Sequence, residues 1–130
     1  MTALQAYDYC FYCLYRGLFN RWGAEDGPEW SACLLLAFSP LLNLETIWIV
    51  TESLTPGSVP PPSRAMLLTL LTLLVLANWA RFLRPGRFRL LATRFEPCGS
   101  KFRAGWIYVV GSFGCLFVAA LSAAFAESAV

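Results

Sequence analysis

The stretch MLLTLLTLLVLANWA, from Met66 to Ala80, decides the fold class. A helix that packs in water keeps a polar face opposite its buried stripe. Here apolar residues occupy every side of the turn, so such a helix has no face to give to water. Between its flanking charges, Ala65 to Ala80, it counts 16 residues. It approaches the roughly 20 needed to cross about 30 Å of hydrocarbon once Arg64 and Arg81 snorkel from its ends.

Two further stretches read the same way. Trp30 to Val50 holds 21 residues with one charge, Glu45, and Ala104 to Ala126 holds 23 with none. The composition agrees, with 58% hydrophobic and 14% charged residues against about 45–50% and about 25% in soluble domains. A soluble bundle would need polar faces that these helices lack. The expectation is an all-α membrane protein, one membrane domain over 1–130, with transmembrane helices at 30–52, 64–82 and 104–126. Asp8, Arg16, Arg21, Glu25, Asp26 and Glu29 interrupt the first thirty residues, so the first span is expected to stay as an uncleaved anchor rather than a signal peptide. In EDGPEW, Pro28 suits the first helical turn, with Asp26 as cap candidate and Glu29 favouring the helix dipole. Pro40 is expected to kink the first span. LRPGR ends the second at Pro85 and Gly86.

Basic residues set the orientation. Two precede the first span (Arg16, Arg21), Arg64 lies in the first connection, and seven lie in the second: Arg81, Arg84, Arg87, Arg89, Arg94, Lys101 and Arg103. Positive residues accumulate on the cytoplasmic side, which puts the N-terminus and the second connection inside. The loop 53–63 and the C-terminal tail then fall outside. PPP at Pro60 to Pro62 makes that loop a stiff, extended connector. Nine arginines against one lysine, with much Ala, Gly, Leu and Pro, fit a GC-rich genome and a bacterial inner membrane.

The second connection, 83–103, interleaves basic and aromatic residues. Phe88, Leu91, Ala92 and Phe95 fall at i, i+3, i+4 and i+7, a short basic amphipathic helix for an anionic leaflet. Arg84, Arg87, Arg89, Arg94, Lys101 and Arg103 are the lipid-headgroup or partner contacts, each worth on the order of 1 kcal/mol near such a surface. Tethering between two spans argues against nucleic acid.

Within the spans, Glu45 is the sharpest polar feature, accompanied by Ser39, Asn43 and Thr46 at i, i+4 and i+7. An acid there costs about 2.5–3.5 kcal/mol at mid-membrane and calls for a partner or a wet cavity. Either it pairs with Arg64 or a subunit, or it serves an oligomeric transporter or channel as an intramembrane carboxylate. In the third span, Gly111, Cys115, Ala119 and Ala123 repeat every four residues, widened by Gly114 and Ser122, a seam on which another helix of this chain or of a second one can approach closely.

The first helix, 4–22, contains AYDYCFYCLYRGLF with four of the five tyrosines and a C-x-x-C pair, Cys10 and Cys13. Tyr7, Phe11, Leu14, Tyr15 and Leu18 line one side. With Tyr12 these aromatics suit the headgroup layer, where a ring is apolar and a hydroxyl wants water, so an amphipathic interfacial helix is expected. Cys10, Cys13 and Cys98 would face a reducing cytosol, which does not suit a disulfide-exchange pair. A zinc site built from them lacks an obvious fourth ligand. The chain has no histidine and no phosphate-binding glycine loop.

The stretches YCLYRGLF, LLNLETIWIV and RLLATRFE, in that order, resemble those of uncharacterised small bacterial multi-pass membrane proteins. The resemblance implies architecture alone and carries no activity, cofactor or residue role. The expected function is therefore non-enzymatic and without cofactor: an accessory or assembly subunit on a membrane-protein partner or homo-oligomer. The Glu45 transporter is the alternative.

Overall fold

The computed structural model describes residues 2–84, 87–96 and 103–128, without the side chains of Phe88, Arg89, Ala104, Glu127 and Ser128. It is 85% helix with no strand among the described residues. In chain order the helices are α1 (Ala3–Trp22), α2 (Pro28–Leu54), α3 (Arg64–Phe82), α4 (Arg87–Phe95) and α5 (Arg103–Ser128). Three of them, α2, α3 and α5, are long and apolar enough to cross a membrane.

Local chemistry fixes the ends. A capping box opens α1: the Thr2 hydroxyl accepts from Gln5 N and the Gln5 amide oxygen accepts from Thr2 N. Gly23, at φ 84°, closes it. Contrary to expectation, Asp26 does not cap α2. Gly27 holds that position in the left-handed region (φ 57°, ψ 54°), with no side-chain cap, and its carbonyl accepts from Trp30 N and Ser31 N. Pro28 follows at the first turn, where its missing N–H costs nothing. α2 then continues through Pro40 to Leu54. Ser63 caps α3 by accepting from Met66 N at 3.1 Å.

The core sits at one end of the molecule. α1 lies across the start of α2, the end of α3 and the start of α5, burying Phe11, Leu14 and Leu18 against Ala32, Cys33, Leu36, Phe82 and Val109. Two glycines let it come close. A Cβ on Gly105 would stand 2.5 Å from the Cys10 carbonyl oxygen, and one on Gly17 would stand 2.5 Å from the Trp106 indole nitrogen. Beyond this end the helices present apolar surface outward. Only 11% of the apolar window of α3 is buried, against 28% for α2, and Leu68, Leu73, Leu76, Phe113, Phe117 and Phe125 are exposed. Such surface is at home in hydrocarbon, where backbone groups are paired inside each helix.

Two expectations change here. Phe11 and Tyr12, read as headgroup anchors, are buried at 0% and 6% exposure, because α1 turns its aromatic side to the spans rather than to lipid. Two members of the α4 stripe are likewise covered by protein. Leu91 and Phe95 are buried, and Phe95 sits 5.5 Å from the Tyr9 ring and 5.9 Å from that of Tyr12.

Replacing Gly105 with Ala forces a methyl against a backbone carbonyl that cannot move aside. It is expected to destabilise by about 1–3 kcal/mol, read as a lower melting temperature in mild detergent. Gly114→Ala, with nothing within 4 Å of its Cβ position, should melt like the parent.

Candidate functional site

Polar chemistry in the described structure concentrates where α1 meets α3. Asn78, Arg81 and Phe82 share one face of the last turns of α3, and Tyr7, Asp8 and Phe11 share one face of α1. They meet as three pairs. The Arg81 guanidinium donates from Nε to Asp8 Oδ1 at 2.7 Å and from Nη2 to Oδ2 at 3.0 Å. The Tyr7 hydroxyl donates to Asn78 Oδ1 at 2.9 Å. The Phe11 and Phe82 rings stack at 4.0 Å with 2° between their planes.

Asn78 extends the link to a third helix, since its Nδ2 donates to the Cys33 carbonyl of α2 at 3.4 Å. Asn78 is 3% exposed, so an unsatisfied amide there would carry its full desolvation cost. Both its polar atoms are paired. Burial also pushes the Tyr7 hydroxyl above its ordinary pKa, which keeps it a neutral donor. Among the described residues Asp8–Arg81 is the one ion pair. Its fork geometry suits arginine and not lysine.

The C-x-x-C pair lies beside this clamp on the α5 side. Cys13 is buried and Cys10 half-buried, neither of them in a disulfide among the described residues. Burial pushes both thiols up from the usual range, Cys10 further through its neighbour Cys13. A raised thiol pKa leaves little thiolate at neutral pH, the opposite of what a redox or metal-binding pair requires. Cys98 lies outside the described residues.

The other sequence-derived residues scatter. Ser39 is fully buried, but its hydroxyl donates to its own helix at the Leu35 carbonyl, and that of Thr46 does the same at Leu42. Asn43 is turned toward Tyr108 of α5. Glu45 is half-buried. Its expected pairing with Arg64 is not formed, since no ion pair joins them among the described residues. Of the α5 seam, Ala119 is buried and Ala123 half-buried, while Gly111 and Cys115 face outward. Tyr15 is half-buried near Glu29. Arg84, Arg87, Arg94 and Arg103 are exposed, and Arg94 lies 5.7 Å over the Phe95 ring. The Arg89 side chain and Lys101 lie outside the described residues.

Asp8 and Asn78 were not singled out from sequence as partners. A carboxylate in an aromatic helix and an amide in an otherwise apolar span are each costly in a membrane, and that shared cost is the signal that points to a pair. Comparison with protein-family models, curated proteins and solved structures gives no match.

The clamp predicts a double-mutant result. Asp8→Asn and Arg81→Gln should each lower stability, and their combination should reveal a coupling of about 1–2 kcal/mol; additive losses would show that the pair does not hold α1. Lys at position 81 should restore little. The thiols predict a second result. Near neutral pH, Cys10 and Cys13 should alkylate at least about tenfold more slowly in the folded protein than in the denatured chain. Their rates should keep rising as pH climbs past the ordinary thiol range, as followed by mass spectrometry.

Proposed function

We propose that this protein is a non-enzymatic accessory or assembly subunit that packs against a larger membrane protein. One observation carries the reading: the exposed face of α5 contains Gly111 and Gly114, each with nothing within 4 Å of its Cβ position. Ile107, Val110, Phe113, Phe117 and Val118 are exposed around them. Small residues let a second backbone approach, and flanking large ones supply the dispersion contacts that replace the hydrophobic effect inside a bilayer.

The membrane in this proposal is the bacterial inner membrane. The N-terminus and the basic connection are cytoplasmic and the C-terminus is outside, supported by the seven basic residues between the second and third spans. The exposed arginines Arg84, Arg87, Arg94 and Arg103 then face anionic headgroups or acidic groups of the partner. α1 and α4 lie near the headgroup level, fastened to the spans rather than floating on lipid.

The test is a mild-detergent pull-down from the native membrane. Tagged parent protein should bring down a larger membrane protein. Gly111→Leu should be made in normal amount, melt normally and lose the partner, because the substituted side chain projects into open space and not into the chain's own core. A parent protein recovered alone as a monomer would overturn the reading.

A further inference from the structure

One side of α4 is fastened to the protein. Leu91 and Phe95 belong to the buried cluster that includes Phe11, Tyr12 and Phe82, and the Phe95 ring lies 5.5 Å from that of Tyr9. At about 100° of helix per residue, Arg87 and Arg94 fall within about 20° of each other at the edge of that buried side. Leu90 lies about 60° further round, away from Leu91 and Phe95. It is 70% exposed, and Arg87 and Arg94 are exposed beside it. The Thr93 hydroxyl turns back to the Leu90 carbonyl at 3.0 Å, so it asks for no other partner.

Two features of the surroundings say what meets this second side. Exposed tryptophans ring the same end of the molecule: Trp22 ends α1, Trp30 is in the first turn of α2 and Trp79 in the last turn of α3. Tryptophan gathers at the level of lipid headgroups. The charge is also unbalanced. Arg84 and Arg103, on either side of α4 in the chain, are exposed as well, and among the described residues the one ion pair, Asp8–Arg81, includes none of these four arginines. Glu96 is the only acid between positions 83 and 103.

We propose that the outward side of α4 binds an anionic phospholipid, its phosphate on Arg87 and Arg94 and an acyl chain against Leu90. The planar fork of a guanidinium matches phosphate oxygens, and Arg94 is already placed, 5.7 Å over the Phe95 ring. Because α4 is packed against α1, binding orders no backbone. An acidic protein segment would satisfy the arginines and still leave a bare leucine at headgroup level, whereas a lipid supplies a partner for both. This rests on the arginine contacts of the subunit reading and chooses between their two sources of negative charge.

Native mass spectrometry of the purified full chain in mild detergent, titrated with phosphatidylglycerol or phosphatidylcholine of the same acyl chains, reads the headgroup contact. Phosphatidylglycerol should bind at least about tenfold tighter, at roughly fivefold for each arginine near the phosphate. Arg87→Gln with Arg94→Gln should remove at least about fivefold of that preference, while Arg64→Gln, at the other end of α3, should leave it unchanged. Should the double variant melt below the parent, Arg87→Gln alone carries the test, with a loss of at least about twofold. The leucine is read by a photocrosslinker, Leu90→benzoylphenylalanine, which should give acyl-chain adducts in phosphatidylglycerol vesicles and in the native membrane. Equal affinity for the two lipids, an equal loss with Arg64→Gln, no lipid adduct in vesicles, or a protein adduct in place of lipid in the native membrane would each overturn the assignment. The titration and the vesicles contain no partner protein, so their outcome is separate from that of the pull-down.

Discussion

The Asp8 carboxylate held in the fork of the Arg81 guanidinium is the constraint on which the rest of the structure hangs. No Cα of α1 comes within 8 Å of a Cα of α3, so nothing but long side chains joins these helices. Arg81 and Asp8 are 26% and 12% exposed at the side chain, a setting where a lone charge is costly and a paired one is specific in direction. Tyr7 and Phe11 on α1 meet Asn78 and Phe82 on α3 beside it. The pair ties α1 to the end of α3, and α1 in turn covers Val109 on α5 and Phe95 on α4.

A molecule clamped at one end is open at the other. Far from α1, clefts lie between α2 and α5 and between α2 and the proline loop. That loop does not simply extend, because Trp48 binds Val59 O and Glu52 binds Gly57 N. In hydrocarbon each polar group left unpaired is expensive. The hydroxyls of Thr69 and Thr72 meet the requirement locally, donating to Ala65 O and Leu68 O. Glu52 Oε2 stands out because it does not.

Much of this is legible in the chain. Three long apolar stretches give three helices able to span, since a helix without a polar face has few alternatives. The pairing of residues is not. Asp8 and Arg81 are 73 positions apart, and Tyr7 and Asn78 are 71 apart; periodicity gives a face for each helix but not which faces meet. The small-residue seam shows the same limit. Four-residue spacing places Gly111, Cys115 and Ala119 together, yet Ala119 is buried and the other two are not, while the glycine that meets a backbone closely is Gly105. The Asp26 cap failed for a local reason, as Gly27, in the left-handed region, holds the capping position itself.

The sequence by itself determined the three long apolar helices, the start of one at Pro28, and the apolar surfaces suited to a membrane. These follow from near neighbours and from the cost of bringing polar groups into hydrocarbon. Only the tertiary structure decided that the tyrosine-rich first helix faces protein, that Arg81 belongs to Asp8 rather than to the basic connection, and that Glu52 has one oxygen unmatched. Each depends on which distant side chain occupies the facing position. That is fixed by packing and by pairing of buried charge across the fold.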